Sequence, residues 1–199
     1  MKKKLCLALS GALCLSAGVG CGTETTEETL TPVRLNEVVH SVFYAPQYVA
    51  QELGFFEEEG LDVSVAVGNG ADKSMTALLS DSADIALLGT EAGLYVYAEG
   101  KADYPKTFAQ LTQRAGNFLV SREEEPDFQW PDLEGKSVIG GRLGGMPEMV
   151  LEYVIKENGM TIGKDMEIIN NIDFTSTAGA FLGEVGDYTV EFVPAATTL

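Results

Sequence analysis

The stretch HSVFYAPQYVAQELGFFEEEGLDVSVAVG, residues 40–68, carries the clearest structural signal in the chain, because it contains a helix pattern followed by a strand pattern. The segment before it, VRLNEVV (33–39), predicts another strand. Pro46 suits a first helical turn, and apolar residues at helical spacing predict a stripe that faces a core, namely Val49, Leu53 and Phe56. Gly60 suits the end of this helix, and the alternating valines after it predict the next strand. The stretch therefore predicts a βαβ unit.

Strand and helix patterns alternate along the rest of the chain. Helices are predicted over 71–80, 91–100, 147–158 and 177–182 and from Pro194 onward, and strands over 83–89, 106–113, 117–121, 137–141, 166–170 and 188–192. A charged stretch with two prolines, REEEPDFQWPD, has no apolar period and predicts a crossover on the surface. We therefore expect an α/β fold of two lobes, with lobe 1 over 33–121, a crossover or hinge over 122–132, and lobe 2 over 133–199. Lobe 2 is short for an independent core, so we expect it to be truncated.

The N-terminus predicts export and a lipid anchor. Three lysines precede an apolar run over 5–19, which has the length of a signal peptide and is too short to span a bilayer. Cys21 follows this run in a pattern that resembles a bacterial lipoprotein signal, although Gly18 stands where that signal usually has a branched residue. We predict a signal peptide over 1–20, lipidation of Cys21, an acidic tether over 21–32, and an extracytoplasmic protein anchored to the bacterial cell membrane. The alternative is an ordinary cleaved signal with Cys21 free or lost.

The composition narrows the functional classes. The chain has 30 acidic and 13 basic side chains and a formal net charge of −17, which argues against nucleic acid and against electrostatic binding to anionic membranes. Every cysteine lies at or before position 21, so the rest of the chain has no disulfide, no cysteine metal site and no cysteine nucleophile. His40 is the single histidine, and no Gly-x-Ser-x-Gly elbow lies near it. We therefore predict a protein that is not an enzyme and has neither metal nor cofactor.

Four segments resemble the substrate-binding proteins of ABC importers in the nitrate/sulfonate/taurine and thiamine-pyrimidine-precursor class. They are FYAPQYVAQELGFFEEEGLDV, MTALLSDSADIALLG, DLEGKSVIGGRLGGMPEM and GDYTVEFVPAA, and they follow the order of the family. The resemblance implies a type II periplasmic-binding-protein fold, in which a ligand is trapped between two lobes. It also implies a small-molecule solute, and a membrane permease and an ATPase as partners. Family members usually continue beyond this length, which is a further reason to expect an incomplete second lobe.

Loops at the carboxyl ends of predicted strands supply the candidate ligand contacts, because ligands bind there in open α/β sheets. The candidates are His40, Phe43, Tyr44 and Tyr48 in the first loop, Gly89, Thr90 and Glu91 in the third, and Arg142, Gly144, Gly145, Met146 and Pro147 in the fourth. The second loop, GNGAD (68–72), suits either a close backbone approach to a ligand or a turn capped by Asp72.

Several candidates also have a structural interpretation. His40 could make a structural hydrogen bond, and Tyr48, one turn into the helix, could belong to the core or the wall of the groove. Thr90 could be a helix cap and Glu91 an acid that complements the helix dipole. Arg142 could pair with a carboxylate across the cleft.

Two ligand classes remain open at this point. Aromatic faces with the Glu91 carboxylate suit a neutral or cationic ring such as an aminopyrimidine, whereas Arg142 beside a glycine-rich helix start suits a sulfonate or another anion. The acidic surface slightly favours the first class. We expect a receptor that delivers a small nitrogen- or sulfur-containing organic solute to an ABC importer. The alternatives are a lipoprotein that presents its ligand to a sensor and, less favoured, a pyrimidine-biosynthetic enzyme on the same fold.

Overall fold

The computed structural model describes residues 29–114 and 116–199, which form two separate sheets. The first sheet is wholly parallel, with strand order β2-β1-β3. Its strands are β1 (Thr31–Glu37), β2 (Leu61–Val67) and β3 (Ile85–Leu87), and the helices that alternate with them are α1 (Ala45–Glu52), α2 (Phe55–Glu58), α3 (Ala71–Leu79) and α4 (Thr90–Ala98). A 3-10 turn over Val42–Tyr44 joins β1 to α1. The predicted βαβ unit is therefore present, in the register Thr31 to Leu61 through Glu37 to Val67.

The second sheet is mixed, with strand order β4-β7-β5-β6. Its strands are β4 (Asn117–Ser121), β5 (Ser137–Ile139), β6 (Glu167–Ile169) and β7 (Tyr188–Phe192), and its helices are α5 (Met146–Glu157), α6 (Thr177–Leu182) and α7 (Ala195–Thr198). Short 3-10 turns lie over Trp130–Leu133 and Phe174–Ser176. β5 is parallel to both of its neighbours, whereas β4 is antiparallel to β7. The residues that follow β5 and β6 therefore leave the sheet at the same edge, and residues after both strands line the cleft.

The largest buried apolar cluster belongs to the second half. It includes Leu133, Val138 and Ile155, which are fully buried, and Val190, which is nearly so. Leu151 and Ile155 lie four positions apart on α5 and both face this cluster, as an amphipathic helix requires. Each such side chain contributes about 1.5–3 kcal/mol on burial. The core therefore fixes the position of α5 and of the turn that precedes it.

The helix predicted from Pro46 to Gly60 is two helices, and its predicted apolar stripe is wrong. Gly54 has φ +76° and ends the first helix, because this left-handed conformation suits glycine. Val49 and Leu53 are 49% and 61% exposed, so the face that they share does not pack against a core in the described part of the chain. Helical spacing identified the helix correctly but not the direction of its apolar side.

The boundary between the two halves also differs from the prediction. The sequence pattern predicts that residues 117–121 belong to lobe 1, but this strand, β4, is hydrogen-bonded to β7 in the second sheet. The crossing between the sheets therefore precedes residue 117, and the charged stretch 122–132 lies within the second half. The segment 106–113, predicted as a strand, forms no regular element.

The predicted signal peptide and Cys21 lie outside the described residues. The tether was predicted to extend to residue 32, but β1 already begins at Thr31. Among the described residues, no helix has the length and apolarity needed to cross a membrane.

Candidate functional site

A cleft cavity of about 500 Å3 lies between the two halves of the protein. Most of the candidate ligand contacts line it: Phe43, Tyr44, Gly89, Thr90, Glu91, Arg142, Gly145, Met146 and Pro147. Five come from loops that follow strands of the first sheet or from the helix starts beside them, and the other four come from the turn and helix start after β5. The fold therefore brings these candidates together, and their contact with a ligand remains a prediction.

Three candidates do not line this cavity: His40, Tyr48 and Gly144. His40 and Tyr48 belong instead to a hydrogen-bond network around Glu37, the last residue of β1, whose side chain is fully buried. The Tyr48 hydroxyl donates to Glu37 Oε2 at 2.8 Å, and His40 Nδ1 lies 2.9 Å from Glu37 Oε1. Gln47 Nε2 adds a third contact at 3.1 Å. The structural interpretations of His40 and Tyr48 therefore describe what they contact in the folded chain.

The Glu37 network fixes the loop that carries Phe43 and Tyr44 into the cleft. The Tyr48 hydroxyl accepts a hydrogen bond from the Ser41 backbone N–H at 3.1 Å, and the Ser41 hydroxyl accepts one from the Phe43 N–H. Burial, together with the nearby Glu37 carboxylate, raises the pKa of Tyr44 to about 12, so this side chain stays a neutral hydroxyl. The loop presents one apolar ring and one phenol in a fixed arrangement.

Aromatic rings from both halves meet in the cleft. The ring of Phe192, at the end of β7, lies 5.5 Å from Phe43 in an edge-to-face arrangement and 5.4 Å from Phe174. These centroid distances are in the range preferred by aromatic pairs. Phe43 is supplied by the first half and the other two rings by the second. The contact between Phe43 and Phe192 therefore exists only when the two halves are close together, and the three rings give the cleft an apolar wall.

Glu91 is the most unusual polar group in the cleft. It lies in the first turn of α4, is only 3% exposed, and neither carboxylate oxygen has a hydrogen-bond partner among the described residues. Burial raises the pKa of Glu91 above its ordinary value, while the backbone N–H groups of Glu91 and Met146, close by but not within hydrogen-bonding geometry, oppose this rise. A side chain on Gly89 would overlap the carboxylate, so glycine leaves the space that Glu91 occupies.

The starts of two helices converge on this carboxylate. α4 begins at Thr90 and α5 at Met146, and the residues at both starts line the cleft. The cap of α4 is Gly89, so Thr90 is the first helical residue and not the cap. Glu91 therefore lies in the positive field of its own helix start and beside that of α5. A buried carboxylate without a partner is a strong acceptor for a donor group brought by a ligand.

Arg142 is paired across the cleft, as one of its two interpretations required. Its Nε donates to Asp72 Oδ1 at 3.0 Å, its Nη2 donates to Asp72 Oδ2, and its Nη1 donates to Asp173 Oδ1 at 2.9 Å. Lys73 also binds Asp173, at 2.9 Å. Asp72 and Lys73 belong to α3 of the first half, whereas Arg142 and Asp173 follow strands of the second. We refer to these four residues as the cross-cleft network.

The pKa values of the network follow from these contacts. Burial acts to raise the pKa of Asp72, but the hydrogen-bonded Arg142 guanidinium outweighs it, so the pKa lies below the ordinary value. The hydrogen bond from Lys73 holds the pKa of Asp173 below its ordinary value as well. The sequence allows Asp72 as a cap for α3, but the cap position belongs to Gly70. Asp72 instead accepts two hydrogen bonds from the Arg142 guanidinium.

The turn from Arg142 to Gly145 is held by a buried glutamate of α5. Glu148 is 2% exposed; its Oε2 accepts a hydrogen bond from the Gly144 N–H at 3.2 Å, and its Oε1 accepts one from Asn170 Nδ2 at 3.3 Å. Gly144 has φ +74°, so a larger residue there would be strained. Glu148 and Gly144 therefore position the cleft-lining residues between them.

Sequence reasoning missed one wall of the cleft. Residues 107 and 109–114 line it, as do Gly116, Phe174 and Phe192. Gly116 contacts the Phe43 ring so closely that a methyl group at this position would collide with it. A strand is predicted over 106–113, and a strand there would extend a sheet. The segment instead crosses between the two halves and lines the cleft, so the prediction did not identify it as part of the site. The only signal for these two aromatic residues is their position, since Phe174 follows a predicted strand and Phe192 ends one.

Comparison with known proteins gives consistent results. The sequence model of the family described as "NMT1/THI5 like" matches residues 42–195. A Bacillus subtilis (strain 168) protein named "Putative binding protein YtlA" is 52% identical over 171 residues, which cover 86% of this chain and 51% of that protein.

Solved structures give the same picture. One from Bordetella bronchiseptica RB50 matches with a TM-score of 0.69 and 25% identity, over 84% of this chain and 53% of its own. The periplasmic aliphatic sulphonate binding protein SsuA from Escherichia coli matches with a TM-score of 0.57 and 15% identity, over 84% and 56%. The chain thus spans about half the length of the relatives that it matches, and its predicted type II periplasmic-binding-protein fold is confirmed.

Proposed function

The chain belongs to the NMT1/THI5-like family, and on that basis we propose that it is an extracytoplasmic solute-binding receptor that holds a small organic solute between its two halves. The cleft has the size and character that such a role requires. Its volume of about 500 Å3 falls within the range of about 300–1,000 Å3 typical of small-molecule sites, and its walls combine aromatic rings with a few polar groups. No bond is made or broken in this proposal.

Glu91 carries the proposal for the solute class. A fully desolvated carboxylate without a partner is costly, and a ligand that donates hydrogen bonds to it would remove that cost. An amino or amidine group meets this requirement, and a sulfonate or nitrate does not, because these anions have only acceptor oxygens. The aromatic cluster of Phe43, Phe174 and Phe192 offers a face for a flat ring. We therefore favour an amino-substituted nitrogen heterocycle over an anionic sulfonate.

The remaining parts of the proposal concern partners and location. The family resemblance supports delivery of the solute to an ABC permease and its ATPase, and the sequence around Cys21 supports a lipid anchor on the outer side of the cell membrane. These expectations rest on the sequence alone.

A thermal melt with candidate solutes tests the proposal. A ligand at about 100 times its dissociation constant adds about 2.7 kcal/mol to the free energy of unfolding. In a chain of this size that corresponds to a rise in Tm of roughly 5–10 °C, since each kcal/mol is worth about 2–4 °C. We expect 4-aminopyrimidines to raise the Tm, and ethanesulfonate and nitrate to leave it unchanged, in a buffer without sulfonates.

Two variants separate a cleft effect from a general charge effect. Glu91→Gln should abolish the rise caused by the aminopyrimidine. Glu99→Gln removes the same charge from an exposed residue just beyond α4 and should retain the rise. A Tm rise with ethanesulfonate alone would refute the proposed solute class. If both variants respond equally to the aminopyrimidine, Glu91 does not bind the ligand.

A further inference from the structure

The cross-cleft network determines how well the cleft can bind anions, because it contains Arg142, which lines the cleft. Arg142 is the least exposed cation at the cleft, with 23% of its side chain accessible. Arg114 also lines the cavity, but it is exposed, so its charge is more strongly screened by solvent. An anionic ligand would therefore gain most from Arg142.

The guanidinium of Arg142 is already hydrogen-bonded to carboxylates of the protein. Its Nε and Nη2 hold the two oxygens of Asp72, in the two-pronged geometry with which arginine also binds carboxylates and phosphates, and its Nη1 holds Asp173. Three of its five N–H donors are thus used within the protein. Two carboxylates face two cations, so the four charges of the network cancel.

The chain accommodates this arrangement sterically. A side chain on Gly70 would collide with the Cδ of Arg142 and with Asp72 Oδ1. Glycine at the start of α3 therefore leaves room for the arginine stem as it crosses from the second half to the first. Lys73, on the same helix, then secures the second carboxylate of the network at 2.9 Å.

We propose that Asp72 and Asp173 are specificity-determining residues, which occupy Arg142 from opposite sides of the cleft and thereby exclude anionic ligands. They act as repulsive elements, since an anion must approach two carboxylates or displace one of them from the guanidinium. This inference rests on the proposed binding function and deepens it: Glu91 selects for a donor, and the cross-cleft network selects against an anion.

The test is the anion affinity of charge-neutral variants. Asp72→Asn and Asp173→Asn retain a side-chain acceptor oxygen for Arg142 but remove the negative charge. Titration calorimetry with ethanesulfonate and with inorganic sulfate should show at least about tenfold tighter binding to the double variant than to the unchanged chain, equivalent to about 1.4 kcal/mol. Each single variant should show part of this gain, and the gain should shrink as salt is added.

Asp84→Asn is the matched control. Asp84 makes a two-pronged pair with Arg34 in the first half, so this variant changes the net charge as much as either single cleft variant and breaks a similar ion pair away from the cleft. It should leave anion binding unchanged. If the double variant loses its cooperative melt, the single variants decide the question by the same criterion.

The outcomes separate this inference from the proposed function. No gain in sulfonate or sulfate affinity in any cleft variant, or an equal gain with Asp84→Asn, overturns the specificity role, whatever the aminopyrimidine result. A gain in the double variant without any aminopyrimidine binding by the unchanged chain supports the specificity role and refutes the proposed solute class. Tight ethanesulfonate binding by the unchanged chain refutes both.

Discussion

Arg142 and Asp72 are separated by 70 positions in the sequence, yet the guanidinium of one donates to the carboxylate of the other across the cleft, with Nε 3.0 Å from Oδ1. This pair, together with Asp173 and Lys73, joins a helix of the first half to two strand-end loops of the second. The residues that the sequence offers as an anion site are therefore neutralised by the fold itself. Among the described residues that line the cleft, Glu91 is the one whose buried side-chain oxygens lack a hydrogen-bond partner.

Glu91→Gln should stabilise the unliganded protein at neutral pH while it weakens ligand binding. The buried carboxylate lacks a partner, and relief of that desolvation contributes about 1–3 kcal/mol, so the Tm should rise by several degrees. Thermal melts of the unliganded variant and the unchanged chain measure this. A lower Tm in the variant would mean that the charge of Glu91 holds the fold together.

The pH dependence of stability gives a second test of Glu91. Its pKa is raised in the folded state, so the folded chain retains this proton at pH values where the unfolded chain has lost it. The contribution of Glu91 to stability is therefore complete below its ordinary pKa of 4.5 and is lost as the pH rises through the raised pKa. The difference in unfolding free energy between Glu91→Gln and the unchanged chain should grow over that interval. A constant difference would contradict the raised pKa.

Tyr48→Phe should destabilise the protein more than it reduces ligand affinity. The change removes the hydrogen bond to the buried Glu37 carboxylate and the acceptor for the Ser41 N–H, at a cost of about 1–3 kcal/mol. Chemical denaturation and titration calorimetry measure the two effects separately. His40→Ala is the milder companion, because the His40 side chain is 71% exposed. If Tyr48→Phe lowers the affinity and leaves the stability unchanged, Tyr48 belongs to the binding site.

Gly116→Ala should reduce ligand affinity more than a glycine-to-alanine change does elsewhere. A methyl group at this position collides with the Phe43 ring, which must then move within the cleft. Gly179→Ala is the control: this residue lies in α6 with open space around its Cα, so alanine should stabilise the helix by about 0.5–1 kcal/mol. Equal affinities for the unchanged chain and Gly116→Ala would show that the ring position does not matter for binding.

Phe43 and Phe192 should be energetically coupled, and ligand should strengthen the coupling. A double-mutant cycle with leucine at both positions should give about 0.5–1.5 kcal/mol, the value for an aromatic pair beyond its buried area. The edge-to-face pair of Phe128 and Trp130, within the second half, serves as the control and should respond equally with and without ligand. A coupling near zero for Phe43 and Phe192 would mean that the halves do not approach as closely in solution.

The sequence predicted the elements well but not their partners. Gly60, Pro46 and the alternating valines gave the first βαβ unit, since local spacing and turn chemistry determine such features. The placement of β4 in the second sheet was not predictable, because an antiparallel partner 70 or so positions away leaves no periodic trace in β4 itself. The same limit explains the wrong direction assigned to the stripe of Val49 and Leu53.

The sequence predicted which residues meet at the cleft, but it did not predict how they pair. Strand-end positions identified Phe43, Glu91 and Arg142 as residues that the fold brings to one cleft. The sequence left open which carboxylate pairs with Arg142, because that choice depends on the approach of the two halves. The contribution of residues 107, 109–114 and 116 to the cleft was missed, since an irregular segment has no pattern to detect.

Because β4 joins the second sheet, each sheet is built from one continuous part of the chain, residues 31–87 and 117–192. A cut within the segment that links them would leave two polypeptides, each with an intact sheet. A solute that contacts both polypeptides would then hold them together as a heterodimer. Closure of a cleft would become association of two chains, and its strength would depend on the concentration of each half as well as on that of the solute.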